Sequence, residues 1–262
     1  MSRGRRPRLR PRLSRTMSRS RWDEYGALLD AAERHDYAIV SLEDWIVGGE
    51  RDDPLLILRH DVDQHPRSAL RMASLEERRG LRSTWYFRWR TADATVISRL
   101  RARGHHVGFH YETLSRLARQ RGLSRGDDAL VAEARAELRR EVTAFSARFG
   151  PTRSICPHGD TRVPDVSNAT LLQGQDAAAF GVEFDGNGAM RGRRLGHWLT
   201  DRSDAEGGWG ARVDPGGLLA TGRSPILCLT HPHNWVSGPA LWLDRLAGGR
   251  IPMTTGSDRP AW

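Results

Sequence analysis

A parallel α/β sheet is the fold class that this sequence predicts, and three observations lead there. Short apolar segments alternate with helical segments of ten residues or more. Glycines close the helical segments at 66–80, 93–104 and 126–150. Four of the apolar segments stop abruptly on histidines and carboxylates, which is where strands of parallel folds and barrels gather their sites.

The stretch 23–37, DEYGALLDAAERHDY, has helical spacing, with Tyr25, Leu28, Leu29 and Ala32 on one apolar stripe. PLLILRH, beginning at Pro54, is an apolar run of strand length. PRSALRMASLEERRG (66–80) reads as a helix with Pro66 near its first turn and Gly80 at its stop. LRSTWYFRW is rich in aromatic and β-forming residues and predicts a strand. DATVISRLRARG (93–104) is a second glycine-closed helix, and HHVGFHYE a further strand. The long amphipathic segment 126–150 is a helix, TRSICPHG a strand, and SPILCLTH a late return to the same pattern. Residues 160–222, rich in Gly, Asp and Trp, read mostly as long loops and short strands.

The chain has 262 residues and a formal charge of +9. Nine arginines, with no acid, fall in residues 1–22; the remaining 240 residues balance 32 basic against 32 acidic groups. A basic surface that follows phosphates belongs on the folded body, so nucleic acid is not an expected partner. Residues 1–22 are expected to be a disordered basic arm, or an extension upstream of a start at Met17, and residues 23–262 a single domain. The arm has no apolar core, so it is not a complete secretory signal, and a cytoplasmic location is expected. No run of about 18 apolar residues predicts a transmembrane span. Cys156 and Cys228 lie within expected strands and read as buried free thiols.

The polar strand ends are HDVD (60–63), HYE (110–112), PHGD (157–160) and THPHNW (230–235). Side chains two apart on a strand share a face, so Asp61 and Asp63 point one way, and Gly108, His110 and Glu112 share a face. Val107, Phe109 and Tyr111 then pack outward on helices. Asp61, Asp63, His110 and Glu112 are expected to line a barrel mouth, with His158 and His231 arriving from neighbouring strands. A divalent cation offsets the cost of gathering carboxylates and imidazoles in such a mouth. Zinc accepts both donor types, keeps a position open for water and lowers that water's pKa to about 7. One aspartate can then hold the metal while its neighbour takes the water proton, and a histidine can protonate the leaving group.

The motifs LRHDVD, GHHVGFHYE, ICPHGD and CLTHPHNW, in this order over about residues 54–235, resemble the polysaccharide deacetylase superfamily, carbohydrate esterase family four. The likeness is to its bacterial branch with an HDVD motif. That resemblance implies a distorted (β/α)7-type barrel, a divalent metal and removal of N-acetyl groups from sugars. It implies Asp61 as catalytic base, Asp63 and His110 as metal ligands and His231 as general acid. It also implies that PHG (157–159) is a turn whose backbone amide helps hold an oxyanion. The family's second histidine, four residues after the first, is here Leu114. His158 is the first choice for the third ligand and Glu112 the second, while His106 occupies a position that is not a ligand in the family.

The expected substrate is a small N-acetylated sugar or glycoconjugate. Two other functions stay open: hydrolysis of a cyclic amide, or an inactive barrel that binds sugar or a partner subunit. Plainer roles also exist for the singled-out residues. Asp61 and Asp63 suit a helix N-cap before Pro66, and His110 suits a satisfied core histidine. Trp198, Trp209 and Trp235 suit either sugar stacking or the core. Asp201 is a candidate pocket residue. His65, His105, His106 and His233 read as supporting or exposed. Oligomeric state and the acyl group are not legible.

Overall fold

A computed structural model describes residues 21–48, 52–188, 197–201, 208–209 and 213–236. The arm expected over residues 1–20, with Met17, lies outside the described residues. Trp22 does not belong to an unstructured arm: it is buried and opens the first helix.

The strand-ending run at Pro54 becomes the centre of the architecture. Strand β2 (Leu55–Val62) is buried along its whole length. Strand β1 (Ala38–Ser41) pairs with its first half, Leu55–Leu58, and β3 (Thr84–Phe87) with its second half, Arg59–Val62. Strand β8 (Ile226–Thr230) pairs with Leu56–His60. Residues paired twice have one partner on each edge, so β1 and β3 follow one another along one edge of β2 and β8 occupies the other. With β4 (His106–Tyr111), β5 (Ser154–Pro157), β6 (Phe184–Asp185) and β7 (His197–Thr200), the order is β6-β5-β4-β3-β2-β8-β7. Every pairing is parallel, and these seven strands curl into a half-barrel consistent with a distorted (β/α)7 barrel.

Helices α1 (Trp22–Arg34), α2 (Leu42–Gly48), α3 (Arg67–Glu77), α4 (Ala94–Ala102), α5 (Thr113–Gln120), α6 (Asp128–Phe149) and α7 (Pro215–Ala220) complete the described helices. Asp93 and Asp127 cap α4 and α6 by accepting from Val96 N–H at 3.0 Å and Leu130 N–H at 2.7 Å. By contrast, α3 starts after Pro66 with no side-chain cap. The N-cap role that Asp61 and Asp63 suited is therefore not theirs. Strand β1 and helices α2 and α5 were not expected from the sequence; all are short, and a short element carries little periodicity.

Strand parity divides the core. Leu56, Leu58 and Val62 face the helices, whereas Leu55 and Ile57 join Leu42, Trp45, Tyr86, Cys156 and Leu227 inside the barrel. Val107, Phe109 and Tyr111 pack outward as parity requires, Phe109 at 4.9 Å between ring centroids from Phe145. The interior is narrow at Gly108: a Cβ there would lie 2.4 Å from the Tyr86 ring and 2.7 Å from the Ser154 carbonyl. Behind β2, Glu76 is wholly buried and serves as a hub. It receives Tyr25 Oη–H at 2.5 Å and Ser83 Oγ–H at 2.6 Å, and it contacts His60 Nε2 at 2.7 Å. The other His60 nitrogen meets Thr230 Oγ1 at 2.6 Å, which links β2 to β8. Trp235 is fully buried with Trp209 at 4.8 Å, so both are core residues; Trp198 is partly exposed.

Candidate metal centre and active site

The C-terminal strand ends place the acidic and imidazole side chains around one point. Asp63 stands just past β2, His110 within β4, and His158 just past β5. Asp63 Oδ1 lies 3.5 Å from His110 Nε2 and 3.5 Å from His158 Nε2. That oxygen is buried and has no hydrogen-bond partner among the described residues. A buried carboxylate oxygen left bare is costly. The spacing has a direct meaning: atoms about 2.0–2.2 Å from zinc at tetrahedral angles stand about 3.3–3.6 Å apart. One oxygen and two imidazole nitrogens at such distances fit a borderline divalent ion.

The protonation of His110 also fits. Its Nδ1 lies 3.0 Å from the Cys156 carbonyl, which can only accept, so Nδ1 carries the proton and the Nε2 lone pair faces Asp63. Burial pushes its pKa down to about 4, outweighing the pull of Asp61 and Asp63, so His110 is neutral at pH 7 and its Nε2 is free to face a cation. The backbone of His158 is fixed at two points. Its N–H donates to the Tyr111 carbonyl at 2.8 Å, and its carbonyl accepts from Asn168 Nδ2 at 2.7 Å. The His158 amide is thus already used, and an oxyanion role cannot fall to it.

Asp61 sits beside this trio without belonging to it. Arg59 grips it with two hydrogen bonds, Nε to Oδ1 at 2.9 Å and Nη2 to Oδ2 at 2.8 Å. Burial opposes its ionisation, but Arg59 and His110 together hold the carboxyl below the usual aspartate range. Arg59 also donates to Asn187 Oδ1 at 2.7 Å. Burial likewise opposes the charge on Asp63, and the three surrounding histidines lower its pKa despite that.

On the opposite wall, His231 follows β8 with its Nε2 3.9 Å from Asp63 Oδ2. Asp201 collects three donors around it. Oδ1 faces His231 Nδ1 at 2.8 Å, and Oδ2 accepts the His231 N–H at 2.7 Å and the Trp235 indole N–H at 2.9 Å. Burial disfavours the imidazolium, yet the Asp201 hydrogen bond and the charges of Asp201, Asp61 and Asp63 raise the His231 pKa to about 9.

The structure therefore brings Asp61, Asp63, His110, His158, His231 and Asp201 to one mouth. Glu112 stays at the edge: it pairs with Arg88 and reaches only 3.9 Å from His158 Nδ1. It is outside both groups of side chains spaced to share an ion, Asp63–His110–His158 and Asp61–His110–Cys156. In the second group Asp61 is occupied by Arg59, and burial keeps the Cys156 thiol protonated. His106 points to the other end of the barrel, 3.0 Å from Glu43 and 3.2 Å from Asp44. Sequence reasoning missed Arg59, Asn168 and Asn187. Arg59 was findable, because a buried arginine two residues before Asp61 shares its strand face. The two asparagines come from loops with no periodic signal.

No family model and no curated relative matches the chain. Among solved structures it is similar to a family 4 carbohydrate esterase from Streptomyces lividans in complex with acetate: 16% identity, 76% of this chain, 88% of that chain, TM-score 0.43. It is also similar to the Xyl-CE4 domain of a multidomain xylanase from the hindgut metagenome of Trinervitermes trinervoides, at 13% identity, 74% and 84% coverage and TM-score 0.39. A mutant CE4 family pseudoenzyme with restored enzymatic activity matches at 13% identity, 79% and 65% coverage and TM-score 0.43. No described helix is long and apolar enough to cross a membrane.

Proposed function

We propose that the protein is a metal-dependent deacetylase that hydrolyses an N-acetyl group on a sugar or glycosylated small molecule. The bare, buried Asp63 oxygen equidistant from two imidazole nitrogens carries this reading. Asp63, His110 and His158 would hold the ion, with zinc the simplest fit to one oxygen and two nitrogen donors. When bound there, zinc supplies Lewis acidity and a water of lowered pKa.

The remaining steps belong to the chain. Asp61 takes the proton of the attacking water; Arg59 keeps it ionised and aimed. An amine is a poor leaving group unless its nitrogen is protonated as the C–N bond breaks. His231 delivers that proton from Nε2, the nitrogen on the Asp63 side, while Asp201 holds Nδ1–H and stabilises the imidazolium. Base and acid approach from β2 and β8, neighbouring strands joined by hydrogen bonds, so their separation is set by the sheet.

Elemental analysis and acetate release test the reading together. The wild type should hold about one divalent ion per chain and release acetate from an N-acetylated sugar. Asp63→Ala should lose both ion and acetate release while keeping its circular dichroism. Undiminished metal in Asp63→Ala and His110→Ala would remove the site assignment.

A further inference from the structure

Four arginines crowd one side of the mouth. Arg88 and Arg90 follow β3, Arg119 lies on α5, and Arg162 lies in the loop after β5. Two carboxylates stand among them. Glu112 pairs with Arg88, and Asp160 pairs with both Arg119 and Arg162. With Asp63, whose carboxylate also acts on Arg90, four positive and three negative charges leave this rim net positive. Arg119 and Arg162 share one carboxylate, and the Glu112 that Arg88 holds lies 3.9 Å from His158 Nδ1. Folding that assembles like charges gains nothing from them.

Arg90 and Arg162 are exposed, and of the four arginines Arg90 makes no ion pair with a described residue. Its one hydrogen bond among the described residues is long, from Nη2 to the Asp63 carbonyl at 3.4 Å. A guanidinium with spare donors thus stands on the backbone of the central metal-ligand residue. On the β5 side of the mouth, a cavity of about 250 Å³ is lined by His158, Asp160, Asn168 and Asn187. Its wall includes both a candidate ligand and the carboxylate that holds Arg119 and Arg162.

We infer that this mouth selects an anionic N-acetylated sugar, with its phosphate or carboxylate bound by Arg90 beside the arginine-rich rim. The inference rests on the deacetylase reading for the acetamide end alone. Guanidinium forks suit both anions, and the negative group would neutralise the rim's excess.

Calorimetric titration of the metal-loaded protein with N-acetylglucosamine, N-acetylglucosamine 1-phosphate and N-acetylmuramic acid tests it. At least one anionic sugar should bind about tenfold or more tighter than the neutral one, the size expected for a charged hydrogen bond. The better of the two names the anion. Arg90→Gln should bring that ratio close to one, and Arg90→Lys should keep part of it. The ratio should survive in protein stripped of metal. Equal affinities for all three sugars, or an unchanged ratio in Arg90→Gln, would overturn the inference. So would a preference that vanishes with the metal, because the ion itself would then bind the anion. Acetate release is read separately: anion preference without acetate leaves this inference standing and removes the reaction.

Discussion

Replacing Asp201 by asparagine should disarm the acid without touching the metal ligands. The carboxylate accepts from three donors, two on Oδ2 and one on Oδ1. An amide keeps one acceptor oxygen. Set against the His231 N–H and Trp235 indole N–H, that oxygen satisfies two donors and turns its NH₂ toward His231 Nδ1. Nδ1 must then accept, the proton moves to Nε2, and the imidazole is neutral. The reverse amide orientation opposes two donors with two more and is worse. The size of the loss follows from the His231 pKa, raised from 6.5 to about 9. That difference corresponds to roughly 3 kcal/mol in favour of the imidazolium. At pH 8 about nine-tenths of His231 is charged in the wild type, and at a pKa of 6.5 about 3% would be. With the orientation also lost, turnover at pH 8 should fall on the order of 10²- to 10⁴-fold. The assay is the pH–rate profile of acetate release. Its alkaline limb should move to lower pH in the variant, with metal content unchanged. Stability should follow the same linkage. A raised histidine pKa stabilises the fold fully below about pH 6.5, and that contribution is lost as pH rises through about 9. The stability gap between wild type and Asp201→Asn should therefore narrow above pH 9. A variant that keeps the wild-type alkaline limb and rate would refute the assignment of His231 as an acid charged by Asp201.

Other perturbations address the supports of the site. Glu76→Ala strands Tyr25, Ser83 and His60 in the core, and denaturant melts should show a loss of about 3–5 kcal/mol. Gly108→Ala drives a methyl into the Tyr86 ring and the Ser154 carbonyl, so thermal unfolding should report a loss of about 1–3 kcal/mol. Arg59→Met leaves Asp61 buried without its fork; the Asp61 pKa should rise, and the acid limb of the rate profile should move to higher pH.

Much of this organisation was legible because parallel strands are buried on both faces. The apolar run before His60 read as a buried strand, and parity put Asp61 and Asp63 on one face; the strand is buried along Leu55–Val62. The same parity sent Val107, Phe109 and Tyr111 to the helices. Other features were illegible for identifiable reasons. Helix α5 runs for only 8 residues and starts directly after the strand end at Tyr111–Glu112, so it has little length in which to show a period. The Glu76 hub takes in Tyr25, 51 positions away, and through His60 it reaches Thr230, 170 positions from His60. No local pattern announces such a bond. Asp201 was a pocket candidate in a stretch read mostly as loops and short strands; its three donors are set by how β7 and β8 pair, and pairing is not written locally.

The five residues Arg59 to Asp63 have two audiences. Arg59, Asp61 and Asp63 address the mouth, whereas His60 is tied to Glu76 and Thr230 and Val62 is packed among the outer side chains. Chemistry and anchorage therefore alternate along a single thread with a spacing of one. A change that inserts or removes one residue here would not merely displace the site. It would exchange the two roles, turning the anchors toward solvent and water chemistry and the charged groups toward the packed helices. Substitutions can be accepted one position at a time along this thread, but its length cannot vary, so divergence of this segment is confined to changes of side chain.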